Sequence, residues 1–361
     1  MAAASEQDRL PEADRLAAYP HPREAVHLFG HGEAERAFLG AYRSGRMHHA
    51  WLIIGPEGVG KATLAHRIAR FVLTHPDPEA AEVKRARDLA ADPDHPAARQ
   101  AAALTHPDFI VLRRMWDAKN KRLTMALPVE EVRRASHFFS MTAAAGGWRV
   151  AIVDCADEMN LNAANALLKT LEEPPSRALL LLVSHRPGRL IATLRSRCRR
   201  LTLGPLSEAD LFAAIQSAGA QEALGKLSET DRKVLVEMAR GSPRLALRLL
   251  SGNGLALHRE ISGILKAAPK RDDRRVHALA RRVARAGAED DYELALSLVS
   301  DWLAGRVESA TTAGPAEAAS LARLAEVWEK TTRSAGEAEI FHFDRRLVIL
   351  NAFRDIAAAV S

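Results

Sequence analysis

The stretch Leu52-Ile53-Ile54-Gly55-Pro56-Glu57-Gly58-Val59-Gly60-Lys61-Ala62-Thr63 restricts this chain more than any other part of it. An apolar run hands over to a glycine-rich turn and then to a helix start. In this arrangement backbone N–H groups and a helix N-terminus converge on phosphate. Gly55, Gly58 and Gly60 shape the loop, Lys61 reaches toward the β- and γ-phosphates of a nucleotide, and Thr63 completes the candidate binding set. The pattern G-x-x-x-x-G-K asks next for Ser or Thr, whose hydroxyl is a ligand of magnesium, and the chain supplies Ala62. Nucleotide binding is therefore expected of the loop, and metal-assisted hydrolysis is not.

The bulk properties are those of a globular protein. With 361 residues, 47% of them hydrophobic and 27% charged, the chain has room for two or three domains. No apolar run approaches the roughly 18 residues of a membrane span. The first twenty residues carry several acids and no apolar core, so neither a membrane nor a secretory signal is expected, and the cytoplasm is the default. Cys155 and Cys198 stand far apart without metal-ligand spacing, which excludes a zinc site and a disulfide framework. Adjacent side chains diverge on a regular element, so His48-His49 reads as a loop or strand-edge pair. The formal net charge is +6, and from about residue 253 onward acids and bases nearly balance. The excess sits earlier, including Arg195-Ser196-Arg197-Cys198-Arg199-Arg200.

Residues 1–22 read as a flexible lead-in, with the ordered domain starting near Phe29. Helices are expected at about 33–43 and from Lys61 to about Leu73, and 74–104 reads as an inserted helical or mobile segment. Strands are expected at 109–112, 149–154, 178–183 and 200–203, and a hairpin or exposed loop within 116–127. Pro128 suits the first position of a helix running to about Ala143 and ended by Gly146-Gly147. Another helix fits 160–172, stopped by Pro174-Pro175. Alternating strands and helices describe a parallel sheet covered on both faces, with ligands at the C-terminal strand edges. After Pro205 the strands stop. Capping patterns at Ser207 and Ser228 and the start at Pro243 give a three-helix module to Gly252, and 253–361 is helical throughout, with breaks near Pro269, Gly287 and 311–315.

A P-loop ATPase also needs an acid at a neighbouring strand end for the metal shell and a second acid to activate water. Asp154 fits the first role. The next residue is Cys155, which cannot polarise water usefully near neutral pH, and Asp157 and Glu158 fall beyond the strand end.

Four stretches make a resemblance specific: residues 45–56, Thr105-His106-Pro107-Asp108, the run Asn165-Ala166-Leu167-Leu168-Lys169-Thr170-Leu171-Glu172-Glu173-Pro174-Pro175, and Leu194-Arg195-Ser196-Arg197-Cys198. Across roughly residues 25–250 the chain resembles the clamp-loader branch of the AAA+ family. The resemblance implies an α/β AAA+ P-loop module (23–204, with 74–104 in place of a zinc module), a helical lid (205–252) and an all-α C-terminal collar domain (253–361). It implies a subunit of the clamp loader of the DNA polymerase III holoenzyme, a pentamer with tau/gamma and delta subunits that loads the sliding clamp on primed DNA. It makes Arg197 an arginine finger reaching the γ-phosphate of ATP on a neighbouring subunit, and Arg244 a sensor of nucleotide in the lid. Ala62, Cys155 and His185, the last where relatives carry a polar sensor, then imply ATP or ADP held without hydrolysis, with no catalysis in cis. DNA contact through helix N-termini and basic residues of the AAA+ module is a further expectation. Two other readings stay open: an active tau/gamma-type ATPase subunit, and a freestanding nucleic-acid-binding protein with an inherited fold.

Overall fold

The computed structural model describes residues 12, 15–16, 18–117, 122–124, 126–144, 146–270, 272–285, 287–310, 315–341 and 343–360. The chain divides into two compact units, 1–247 and 248–361.

In the first unit, α1 (Gly32–Arg43) leads to β1 (Ala50–Ile54) and α2 (Lys61–Thr74); α3 (Ala81–Arg85) and α4 (Pro96–Ala102) precede β2 (Phe109–Leu112). A small antiparallel ribbon, β3 (Trp116–Asp117) and β4 (Arg122–Leu123), then leads to α5 (Val129–Ser140), β5 (Arg149–Val153), α6 (Leu161–Glu172), β6 (Ala178–Ser184), α7 (Ala192–Ser196) and β7 (Arg199–Thr202). The main sheet is parallel, in the order β2-β5-β6-β1-β7. Strand side chains alternate between faces. Trp51 and Ile53 of β1 accordingly join Phe38, Ile68 and Val150 on one side, and Ala50 and Leu52 join Val132, Leu167 and Leu180 on the other. Both faces being covered, β5 from Val150 and β6 as far as Val183 are apolar runs without alternation. This is the P-loop sheet with flanking helices that the sequence leads one to expect.

Several boundaries differ for identifiable reasons. Pro128 caps α5 from outside, and the helix ends at Ser140 instead of near Ala143. The guanidinium of Arg149 in β5 takes the carbonyls of Phe139 and Met141, while the Asp108 carboxylate accepts the Ala144 N–H at 2.8 Å. These partners turn the chain away before Gly146-Gly147 is reached. Within 74–104, Val83, Leu89, Ala98 and Ala101 are buried, and Arg43 donates to the carbonyls of Val83 and Ala86. Order also begins before Phe29. His21 is buried, Glu12 pairs with Arg15, Arg23 and Arg113, and Arg67 and Arg70 of α2 hold the carbonyls of residues 23, 25 and 26. Residues 118–121, the tip of the expected hairpin, lie outside the described residues.

Beyond β7, four helices replace the expected three: α8 (Glu208–Ser217), the one-turn α9 (Gln221–Gly225), α10 (Glu229–Ala239) and α11 (Pro243–Leu250). Gly219, with φ +90°, breaks the chain between α8 and α9. Ser207 and Ser228 each accept the N–H three residues on, as the capping pattern requires. The second unit holds α12 (Gly254–Lys266), α13 (Asp273–Val283), α14 (Glu289–Ala310), α15 (Pro315–Phe341) and α16 (Arg345–Val360) around a core that includes Ile261, Leu279, Tyr292 and Phe353. No helix among the described residues is long and apolar enough to cross a membrane.

Candidate functional site

The loop between β1 and α2 lies at the C-terminal edge of the sheet. Gly55 adopts φ +150°, and a Cβ there would stand 2.2 Å from the Leu203 carbonyl oxygen. Gly60, at φ +111°, immediately precedes α2, whose N-terminus has no side-chain cap. Lys61 is 3% exposed and its ammonium donates to the carbonyls of Gly55, at 2.8 Å, and Pro56. Burial pulls its pKa down to about 8, against the opposing field of Glu57, Cys155, Asp157 and Asp154. His31, at the start of α1, gives its Nε2–H to the Val59 carbonyl at 2.8 Å, and burial depresses its own pKa. A lone histidine carries no motif, so the sequence gives no signal for this support.

Gly58 explains how the start of α11 meets the loop. At φ +74° its Cβ position would fall 2.4 Å from Ser242 Oγ and 2.6 Å from Arg244 Cβ, and its carbonyl accepts the Arg244 N–H at 3.3 Å. Arg244 is therefore brought to the loop through its backbone. A Gly58→Ala variant combines left-handed strain with this clash and loses about 1–3 kcal/mol of stability, measured by chemical denaturation. An unchanged midpoint would show that the start of α11 does not bear on the loop.

At the end of β5, Asp154 is buried and its Oδ1 accepts the Cys155 N–H at 3.1 Å. Cys155 sits in the left-handed region at φ +53°, with its sulfur 3.8 Å from His185 Nε2. Burial, helped by Asp154 and Glu158, pushes the thiol far above its ordinary pKa, and burial together with Lys61 lowers that of His185. Near neutral pH the thiol and the imidazole are thus both neutral, and neither is a carboxylate that could activate water. Asp157 accepts the backbone N–H of His185 at 3.0 Å, and Glu158 pairs with Arg114 at 3.0 Å. Glycine geometry, an uncapped helix start and Lys61 form a donor set suited to the phosphates of a nucleotide. That set does not suit magnesium, because Ala62 offers no hydroxyl beside Asp154. Thr63 lies in the first turn of α2 and completes the set by position only. Among the described residues no three His, Cys, Asp or Glu side chains are grouped to hold a metal ion.

Arg197 is elsewhere. It follows α7 and precedes β7, whose Arg199 pairs in register with Trp51 near the start of β1. That is the edge of the sheet opposite the loop. Half-exposed, Arg197 donates to the Thr193 carbonyl at 3.0 Å and pairs with Glu172 Oε1 at 2.9 Å. Its neighbour Cys198 packs against the core, its thiol pushed up to about 12 by burial. Glu172 belongs to the run 165–175, yet its pairing across 25 positions has no local signature. At the same edge His49 bonds the Leu171 carbonyl at 3.0 Å, and the rings of His48 and His49 stack at 4.6 Å. The two do not diverge because they precede the regular strand.

A family profile described as "DNA polymerase III, delta subunit" matches residues 30–207. The DNA polymerase III subunit delta' of Pseudomonas aeruginosa is 34% identical over 220 residues, 60% of this chain and 61% of that protein. The DNA polymerase III subunit gamma of Buchnera aphidicola (subsp. Schizaphis graminum) is 28% identical over 229 residues, 63% of this chain and 58% of that one. Among solved structures, a DNA polymerase III gamma subunit-related protein of Thermotoga maritima covers 90% of this chain and 100% of its own, at TM-score 0.42 and 15% identity. The chain thus spans about three-fifths of the length of the curated relatives it matches. Residues 30–207 thus match the model of the DNA polymerase III delta-subunit family, and the chain is similar to the bacterial delta' and gamma subunits.

Proposed function

We propose that the chain is a non-hydrolysing clamp-loader subunit of the DNA polymerase III holoenzyme. In this reading it assembles with tau/gamma and delta subunits into the cytoplasmic pentamer that loads the sliding clamp on primed DNA. The observation that carries the reading is the separation of two ends of one strand. The loop end combines Ala62 with the Cys155–His185 contact and lacks a water-activating acid. The other end presents Arg197, half-exposed, where it cannot serve its own loop. A guanidinium so placed suits charge that develops on a phosphoryl group held by a neighbouring subunit. The loop itself would hold ATP or ADP statically through Gly55, Gly58, Gly60, Lys61 and Thr63. Arg244, through its contact with Gly58, would sense the occupant from a lid over 205–252, and residues 253–361 would form the collar.

The purified chain, incubated with ATP and magnesium, is expected to release no phosphate above the blank. Mixed with tau/gamma and delta subunits, it is expected to elute as a stoichiometric complex. Appreciable turnover by the chain alone would support the motor-subunit reading. Failure to assemble would support a freestanding nucleic-acid-binding protein.

A further inference from the structure

The second unit is nearly neutral in total, but its charge is segregated along the chain. From Arg259 to Arg285 there are nine Lys or Arg and three Asp or Glu, whereas 286–361 holds seven and thirteen. The basic part centres on α13. Val276, Leu279, Ala280 and Val283 are buried in the unit's core, and Arg274 and Arg281 lie exposed on the opposite face. Two turns of helix, about 10 Å, separate them, and Ala278 leaves the surface between them flat. Arg285 is exposed just past the C-cap residue, Ala284. Arg282 is held by Glu260, but among the described residues none of Arg274, Arg281 and Arg285 takes part in an ion pair.

We infer that this face of α13 is a nucleic-acid contact, binding the phosphate backbone without reading sequence. Three guanidinium groups held in no ion pair on a rigid helix match a regular anionic polymer, in which one strand of duplex presents a phosphate about every 3.4 Å of axis. A membrane surface fits poorly, because the apolar residues of α13 are already in the core and cannot enter lipid. A folded protein partner fits less well too, since its interface would need apolar or aromatic anchors. No large exposed hydrophobic residue occurs among the described residues of 254–285. The inference lies outside the AAA+ unit and does not depend on Arg197.

The test uses the full chain and fluorescence anisotropy with a labelled 20-base-pair duplex and the matching single strand, each titrated across salt concentrations. The triple variant Arg274→Ala, Arg281→Ala, Arg285→Ala should fold as the parent does by circular dichroism. It should lower the slope of log affinity against log salt by about 2.7 on the duplex and about 2.1 on the single strand, and equally for unrelated sequences. An unchanged slope on both probes overturns the inference. So does a loss of affinity for poly-glutamate with none for either nucleic acid, which would assign the face to an acidic protein surface.

Discussion

In a clamp loader reconstituted with the Arg197→Ala chain, the proposed finger role predicts that ATP turnover at the one neighbouring site falls by about 10³-fold or more, while the complex elutes unchanged. The size follows from what a trans arginine does: it stabilises charge that appears only in the transition state, so its loss lowers the rate and not ground-state assembly. Assembly survives because the side chain is partly solvated and its pair with Glu172 contributes at most about 1 kcal/mol. Glu172→Gln is the useful companion variant. It keeps a hydrogen-bond acceptor for Arg197 while removing the competing charge, so turnover is retained. Phosphate release by the assembled loader checks both, and an unchanged rate with Arg197→Ala removes the finger role.

Replacing Arg67 by methionine destabilises the first unit by about 3–5 kcal/mol, or roughly 10 °C in melting temperature. Arg67 Nε meets Glu35 Oε1 at 2.7 Å, both side chains 7% exposed, and the guanidinium also holds the Val26 carbonyl. Methionine fills much of the volume but leaves a buried carboxylate and a carbonyl without partners. Even with Arg67 present, burial holds the Glu35 pKa above the ordinary glutamate value, opposed by Arg67 itself. A raised folded-state pKa means that the native state binds the extra proton. The penalty is accordingly smallest below the ordinary carboxylate pKa, and it grows as pH rises through the higher folded value. The double variant Arg67→Met, Glu35→Leu recovers most of the loss, as paired apolar replacements of buried ion pairs do. Denaturant titrations of parent, single and double variants measure the coupling; equal losses in both variants would show that Glu35 is not the group left unpaired.

What could be read from the chain beforehand was mostly local. The run 150–153 is apolar throughout because β5 is covered on both faces, and that run alone places Asp154 at a strand end. The P-loop glycines were legible because their left-handed angles favour glycine. Tertiary partners hid the rest. Residues 141–144 are compatible with helix by propensity, and nothing nearby announces that Arg149 and Asp108 will take their backbone groups. His21 falls in a polar lead-in, yet its ring meets His66 edge-on at 6.1 Å in a buried position. For Arg197 the motif pointed to the residue, but the pair with Glu172 needed α6 and α7 in space.

The five residues of β1 put about 17 Å between the loop and the edge that carries Arg197. Substitutions farther apart than roughly 7–10 Å, with no shared partner, act additively. Substitutions at 62 or 155 therefore impose no penalty on the guanidinium at the opposite end, so the two ends of the sheet can change independently.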